Sequence, residues 1–151
     1  VPSWKQKILR AAPAAIAAVL IAGCSTTPKA HPSAITGAPS VTAAEKAGVE
    51  VVSLRRTAEG RMLDFRFRVL DPEKASPVLL RSTPAYLVDE ATGATLEITE
   101  TRMGKMRQNT WKPEKGRVYW MLFQTAGRRL APGDKATVVI GEHRFENLTV
   151  Q

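Results

Sequence analysis

The chain has 151 residues, with 22 Lys and Arg against 14 Asp and Glu, a net charge of +8 and a single cysteine, Cys24. That length holds one modest core, and a lone cysteine excludes an internal disulfide framework. Three of the 22 bases precede Cys24 and all 14 acids follow it, so the part from Cys24 onward carries 19 bases, 14 acids and a net +5.

The first element in chain order is a leader. Val1 to Arg10 holds Lys5, Lys7 and Arg10 with no acid, and Ala11 to Ala22 is a run of twelve uncharged, mostly apolar residues. A basic start, a short apolar run and small residues form the layout of a secretory signal. A permanent span needs roughly 20 apolar residues, so this run is too short, and Pro13 weakens it further. Residues 1–23 are therefore expected to be a removable signal peptide.

Ile21-Ala22-Gly23-Cys24 resembles the lipobox of bacterial lipoproteins. The resemblance implies that the Cys24 sulfur receives a diacylglyceryl group, that the leader is cut before Cys24, and that the new amino terminus is acylated. In Gram-negative members an Asp after the cysteine tends to retain the protein at the inner membrane. Ser25 holds that place here. The implied address is the cell envelope, on the periplasmic face of the outer membrane, with the membrane itself as a partner through the lipid anchor. Each buried CH₂ contributes about 0.8 kcal/mol, and two or more chains hold stably.

Residues 24–44 read as the lipidated cysteine and a flexible tether. Ser25 to Val41 is rich in Ser, Thr, Pro and Ala, too poor in bulky apolar groups to offset its ordering entropy. Its typical span is roughly 25 Å, with a taut limit near about 60 Å. His31 lies in it with no second ligand nearby.

Residues 45–151 read as one β-domain. Thr42-Ala43-Ala44-Glu45 fits a capping box and Gly48 a helix stop, so one or two helical turns introduce the domain, with an extended arrival as the alternative. Val49 to Arg56 is a β-branched run. Met62 to Leu70 is the clearest strand, with Leu63, Phe65, Phe67 and Val69 on one face and Asp64, Arg66 and Arg68 on the other. Asp71-Pro72 starts a single helical turn that Ser76-Pro77 should break, a crossover between sheets, and Val78 to Arg81 offers a brief edge strand.

Tyr86 to Thr99 forms a hairpin with Gly93 in its turn. Arg102 to Gly116 shows no sustained period and is expected to be the longest irregular loop. Arg117 to Thr125 is apolar on both faces, Val118, Trp120 and Leu122 on one and Tyr119, Met121 and Phe123 on the other. Ala136 to Ile140 and Arg144 to Val150 complete the set, joined at Gly141-Glu142. The shared core is expected to hold Leu63, Phe65, Phe67, Trp120 or Leu122, and Val139. About seven strands with short turns point to an all-β fold, an antiparallel immunoglobulin-like sandwich, with a small barrel as the alternative.

The run Gly60 to Ala75, with Pro132-Gly133-Asp134 and Val138 to Gly141, is similar to a group of bacterial lipoproteins. That resemblance covers most of the domain and implies no activity.

Residues 45–151 hold one histidine, His143, and no thiol, with no Gly-rich phosphate loop and no zinc-type His/Glu spacing. The expectation is a binding or structural module with no enzymatic activity and no cofactor. A copper or other metal site is the alternative, using Met103, Met106 and His143, because thioether sulfur suits Cu(I) in an exported protein. The candidate binding surface is the loop bearing Arg102, Lys105, Arg107, Trp111, Lys112, Lys115 and Arg117 against one acid, Glu114. Such a cluster suits an anionic lipid, a glycan or an acidic envelope protein. Nucleic acid fits poorly and is not expected as a partner, because export removes the protein from it and only Trp111 interleaves the basic loop.

Overall fold

The computed structural model describes residues 41–128 and 130–151, all within one compact unit, Ser33–Gln151. The leader, Cys24 and the tether up to residue 40 lie outside the described residues. Helix α1 (Val41–Lys46) supplies the one or two helical turns expected ahead of Gly48, and it includes residues 41–44 of the stretch read as tether. It stops at Gly48, whose φ of +62° suits glycine. A Cβ there would stand 2.8 Å from the Asp71 carbonyl oxygen. The Gly48 carbonyl accepts from Leu70 N at 2.8 Å and Asp71 N at 3.0 Å. Glycine thus lets the chain start press onto the end of the second strand.

Among the described residues nine strands follow: β1 (Val49–Thr57), β2 (Met62–Val69), β3 (Ala85–Asp89), β4 (Thr95–Glu97), β5 (Glu100–Thr101), β6 (Gly104–Lys105), β7 (Val118–Gln124), β8 (Lys135–Ile140) and β9 (His143–Thr149). All pairings between them are antiparallel. One sheet runs β1-β2-β7, a second β4-β3-β8-β9, and β5-β6 is a small hairpin. The described residues are mostly β with antiparallel sheets, consistent with the expected all-β class.

On β2 the expected faces hold: Leu63, Phe65, Phe67 and Val69 are fully buried, and Arg66 pairs with Asp64 at 2.8 Å. Phe65 meets Phe145 of β9 with ring centroids 6.0 Å apart, so the two larger sheets share one core. The inward face of β7 is Tyr119, Met121 and Phe123, not Trp120 and Leu122. Register decides this: Phe65 lies opposite Met121, and directly opposed residues share a face. Val139, expected in the shared core, lies on the other face of its sheet, because Val138 is the residue opposite core-facing Leu87.

Helix α2 (Pro72–Leu79) crosses from β2 to β3. The Asp71 carboxylate accepts from Glu73 N at 3.1 Å and Lys74 N at 3.4 Å, a side-chain N-cap. The helix continues through Pro77, which was expected to end it, and includes Val78 and Leu79, which were expected to be strand. Ala75, Val78 and Leu79 are fully buried, so packing outweighs the lost hydrogen bond at proline.

Both outer edges of the three-stranded sheet carry backbone partners beyond its strands. Gln151 N donates to Leu54 O, and Arg56 N donates to Gln151 O, each at 2.9 Å, along β1. Residues 98–108 run beside β7, with Thr99 N donating to Leu122 O at 2.8 Å and Leu122 N to Met106 O at 3.0 Å.

Candidate functional site

The basic segment from Arg102 to Arg117 is ordered by the strand it lies beside. It opens as the β5-β6 hairpin, in which the Thr101 hydroxyl accepts from Met103 N at 3.2 Å and donates to Gly104 O at 2.9 Å. Glu100 is the register partner of Lys105. Beyond the hairpin, Met106 N donates to Thr99 O at 2.8 Å and Gln108 N to Trp120 O at 3.0 Å. The first half, expected to be irregular, therefore follows the edge of β7.

Arg107 is only 7% exposed. Its guanidinium donates from Nη1 to Thr83 O at 2.8 Å and from Nη2 to Val78 O at 2.9 Å. A planar fork reaches two carbonyls at once, and a positive charge suits the carbonyl end of α2. Burial pushes its pKa below the usual guanidinium value. Its Nε is buried without a protein partner. Arg107 thus fastens the segment to α2 and is not part of the exposed surface.

The second half is held from below. Thr110 N donates to Leu79 O at 3.0 Å, and the Tyr119 hydroxyl accepts from Glu114 N at 3.1 Å. Arg117 pairs with Glu114 at 2.8 Å and lies 5.5 Å from the Tyr119 ring centroid, a cation-π position. Arg117 is therefore engaged within the fold.

The remaining cations, Arg102, Lys105, Lys112 and Lys115, are exposed and form no ion pair among the described residues. Trp111 is 82% exposed and Met103 96%. A pocket of 550 Å³ opens beside the hairpin, lined by Met103, Met106, Trp120 and basic Arg102 and Lys105 among others. A second, polar pocket of 430 Å³ lies between Gln108, Thr110, Glu114 and Tyr119. His143 opens β9, the outer strand of the other sheet, and does not line the pocket of Met103 and Met106.

Among the described residues no three His, Cys, Asp or Glu side chains gather where they could hold a metal ion. No helix among them is long and apolar enough to cross a membrane. Sequence reasoning passed over Arg81, whose guanidinium Nη2 lies 3.4 Å from where a Cβ on Gly104 would stand. It belongs to the turn after α2, and no local pattern ties it to the hairpin.

Comparison with known proteins gives no match: no family model, no curated protein and no solved structure is significantly similar to this chain. Function is therefore inferred from the chemistry of the segment itself.

Proposed function

We propose that this protein is a non-catalytic binding or structural module of a bacterial cell envelope, anchored through lipid on Cys24 and facing the periplasm from the outer membrane. Its basic segment is the surface that meets an anionic partner. The observation that carries this is the set of four exposed, unpaired cations, Arg102, Lys105, Lys112 and Lys115, beside an exposed Trp111 on a segment held firmly from beneath. A solvated face kept basic for solubility needs no such fastening, whereas a binding surface gains from being pre-organised.

The fold that supports this surface is, in this proposal, an immunoglobulin-like sandwich. The order β1-β2-β7 with residues 98–108 at its edge fits strands A, B, E and D, and β4-β3-β8-β9 fits C′, C, F and G. Such sandwiches serve many functions, so the fold alone carries none.

The surface is tested on Ser33–Gln151, the compact unit without leader or lipid, by retention on immobilised heparin as a soluble-polyanion probe. The wild type is expected to bind at low salt and elute as salt rises. The variant with Arg102, Lys105, Lys112 and Lys115 changed to Gln is expected to pass through with an unchanged melting temperature. Equal retention of both would move the site elsewhere, with the outward face of β7 next in line.

A second reading has one observation in its favour: Met103 and Met106 line the same pocket, so two thioethers could meet one Cu(I) there. His143 would take no part.

A further inference from the structure

Three separate stretches of chain come together beside the end of α2. The bond from Thr110 N to Leu79 O, 3.0 Å long, brings the Trp111 turn beside the end of α2, where Leu80 and Arg81 follow. Arg81 in turn borders Gly104 at the tip of the hairpin, next to Met103. Arg107 ties the connecting chain to Val78 and Thr83 on either side of the same turn. Leu80 and Arg81 therefore lie between the two tips that carry Met103 and Trp111.

The composition of this face is specific. Among the described residues five large hydrophobic side chains are exposed, and three of them are here: Met103 at 96%, Trp111 at 82% and Leu80 at 39%. Each has a cation beside it in sequence: Arg102 precedes Met103, Lys112 follows Trp111 and Arg81 follows Leu80. The charges adjacent to these apolar side chains match an anionic plane.

We propose that this face docks on an anionic lipid surface, with Met103 and Trp111 entering the headgroup layer and Arg81, Arg102, Lys105 and Lys112 meeting lipid phosphates. The proposal rests on the basic-surface reading above and names its partner. Side chains that stand out almost fully exposed need a matching cavity in a rigid protein partner, whereas a headgroup layer yields around them. Tryptophan is favoured at that depth because its ring is apolar and its N–H stays wet. Cations one residue from each tip then sit at the level of the phosphates, where attraction is strongest and falls off within a Debye length.

The test uses Ser33–Gln151 with vesicles of phosphatidylglycerol mixed with phosphatidylcholine, and with vesicles of phosphatidylcholine alone. Co-sedimentation with the anionic vesicles at low salt, release at high salt, and a blue shift of tryptophan emission that disappears in Trp111→Phe are expected. The double variant Met103→Ser/Trp111→Ser is expected to bind anionic vesicles at least about tenfold more weakly while its melting temperature stays unchanged. Undiminished vesicle binding by that variant overturns the insertion of these side chains. Heparin retention with no vesicle binding overturns the lipid assignment and leaves the basic surface to a glycan or an acidic protein. Failure to bind either probe removes both readings.

Discussion

Arg107 and Val78 are joined by a 2.9 Å hydrogen bond from Nη2 to the carbonyl oxygen, linking the strand-like run beside β7 to the last turn of α2. The same guanidinium reaches Thr83 O at 2.8 Å, so one side chain closes three pieces of chain together. Replacing Arg107 by Leu leaves two carbonyls short of a donor and is expected to cost about 2–4 kcal/mol. Arg107→Lys keeps the charge but not the fork, and is expected to recover less than half of that loss. Thermal denaturation of the two variants checks both statements, and equal stability of wild type and Arg107→Leu refutes them.

The face assignment of β7 gives a second prediction. Met121 is fully buried opposite Phe65, whereas Trp120 is half-buried on the outer face. Phe65→Ala is expected to cost about 3–5 kcal/mol and Met121→Ala about 2–5 kcal/mol through the cavities they leave. Trp120→Ala, despite its larger side chain, is expected to cost less than either. Denaturant midpoints in the reverse order would place Trp120 in the core.

The proposed membrane anchor is tested at one atom. Cys24→Ala removes the sulfur that the lipobox resemblance makes the acylation site, so the variant is expected to remain uncleaved or to become soluble. Mass spectrometry of the membrane fraction decides, and a variant that stays membrane-bound at the mature mass removes the anchor.

Copper binding makes its own separable claim. Ser33–Gln151 is expected under this reading to take up Cu(I) in reducing conditions, and Met103→Leu/Met106→Leu to lose that uptake with its fold intact. Competition against a chromophoric Cu(I) chelator measures it, and absence of uptake by the wild type ends the reading.

Gly48 supplies a prediction about the start of the domain. An alanine there would carry a Cβ at φ +62° and within 2.7 Å of the Lys74 Cβ, so Gly48→Ala is expected to cost more than the roughly 1 kcal/mol of the backbone conformation alone. A loss no larger than the roughly 1 kcal/mol of the backbone conformation would mean that the contact between Gly48 and α2 relaxes freely.

Much of this fold was legible in the sequence because period-two patterning needs only local chemistry. The Leu63, Phe65, Phe67 and Val69 face of β2, the hairpin at Gly93 and the strands on either side of Gly141 follow from alternation and turn residues. The charge of the 102–117 segment and the prominence of Trp111 are equally properties of composition. Tertiary structure decided what alternation leaves degenerate. On β7 both faces are apolar, and only the register against β2 turns Met121 inward and Trp120 outward. On α2 the local penalty of Pro77 is overridden by burial of Ala75, Val78 and Leu79, contacts made with residues distant in sequence. Within the basic segment, sequence weighs every cation alike, yet Arg107 is buried against two carbonyls and Arg117 is paired, while Arg81 arrives from another loop. Charge is a property of a residue, but exposure is a property of its neighbours, and those are set by the fold.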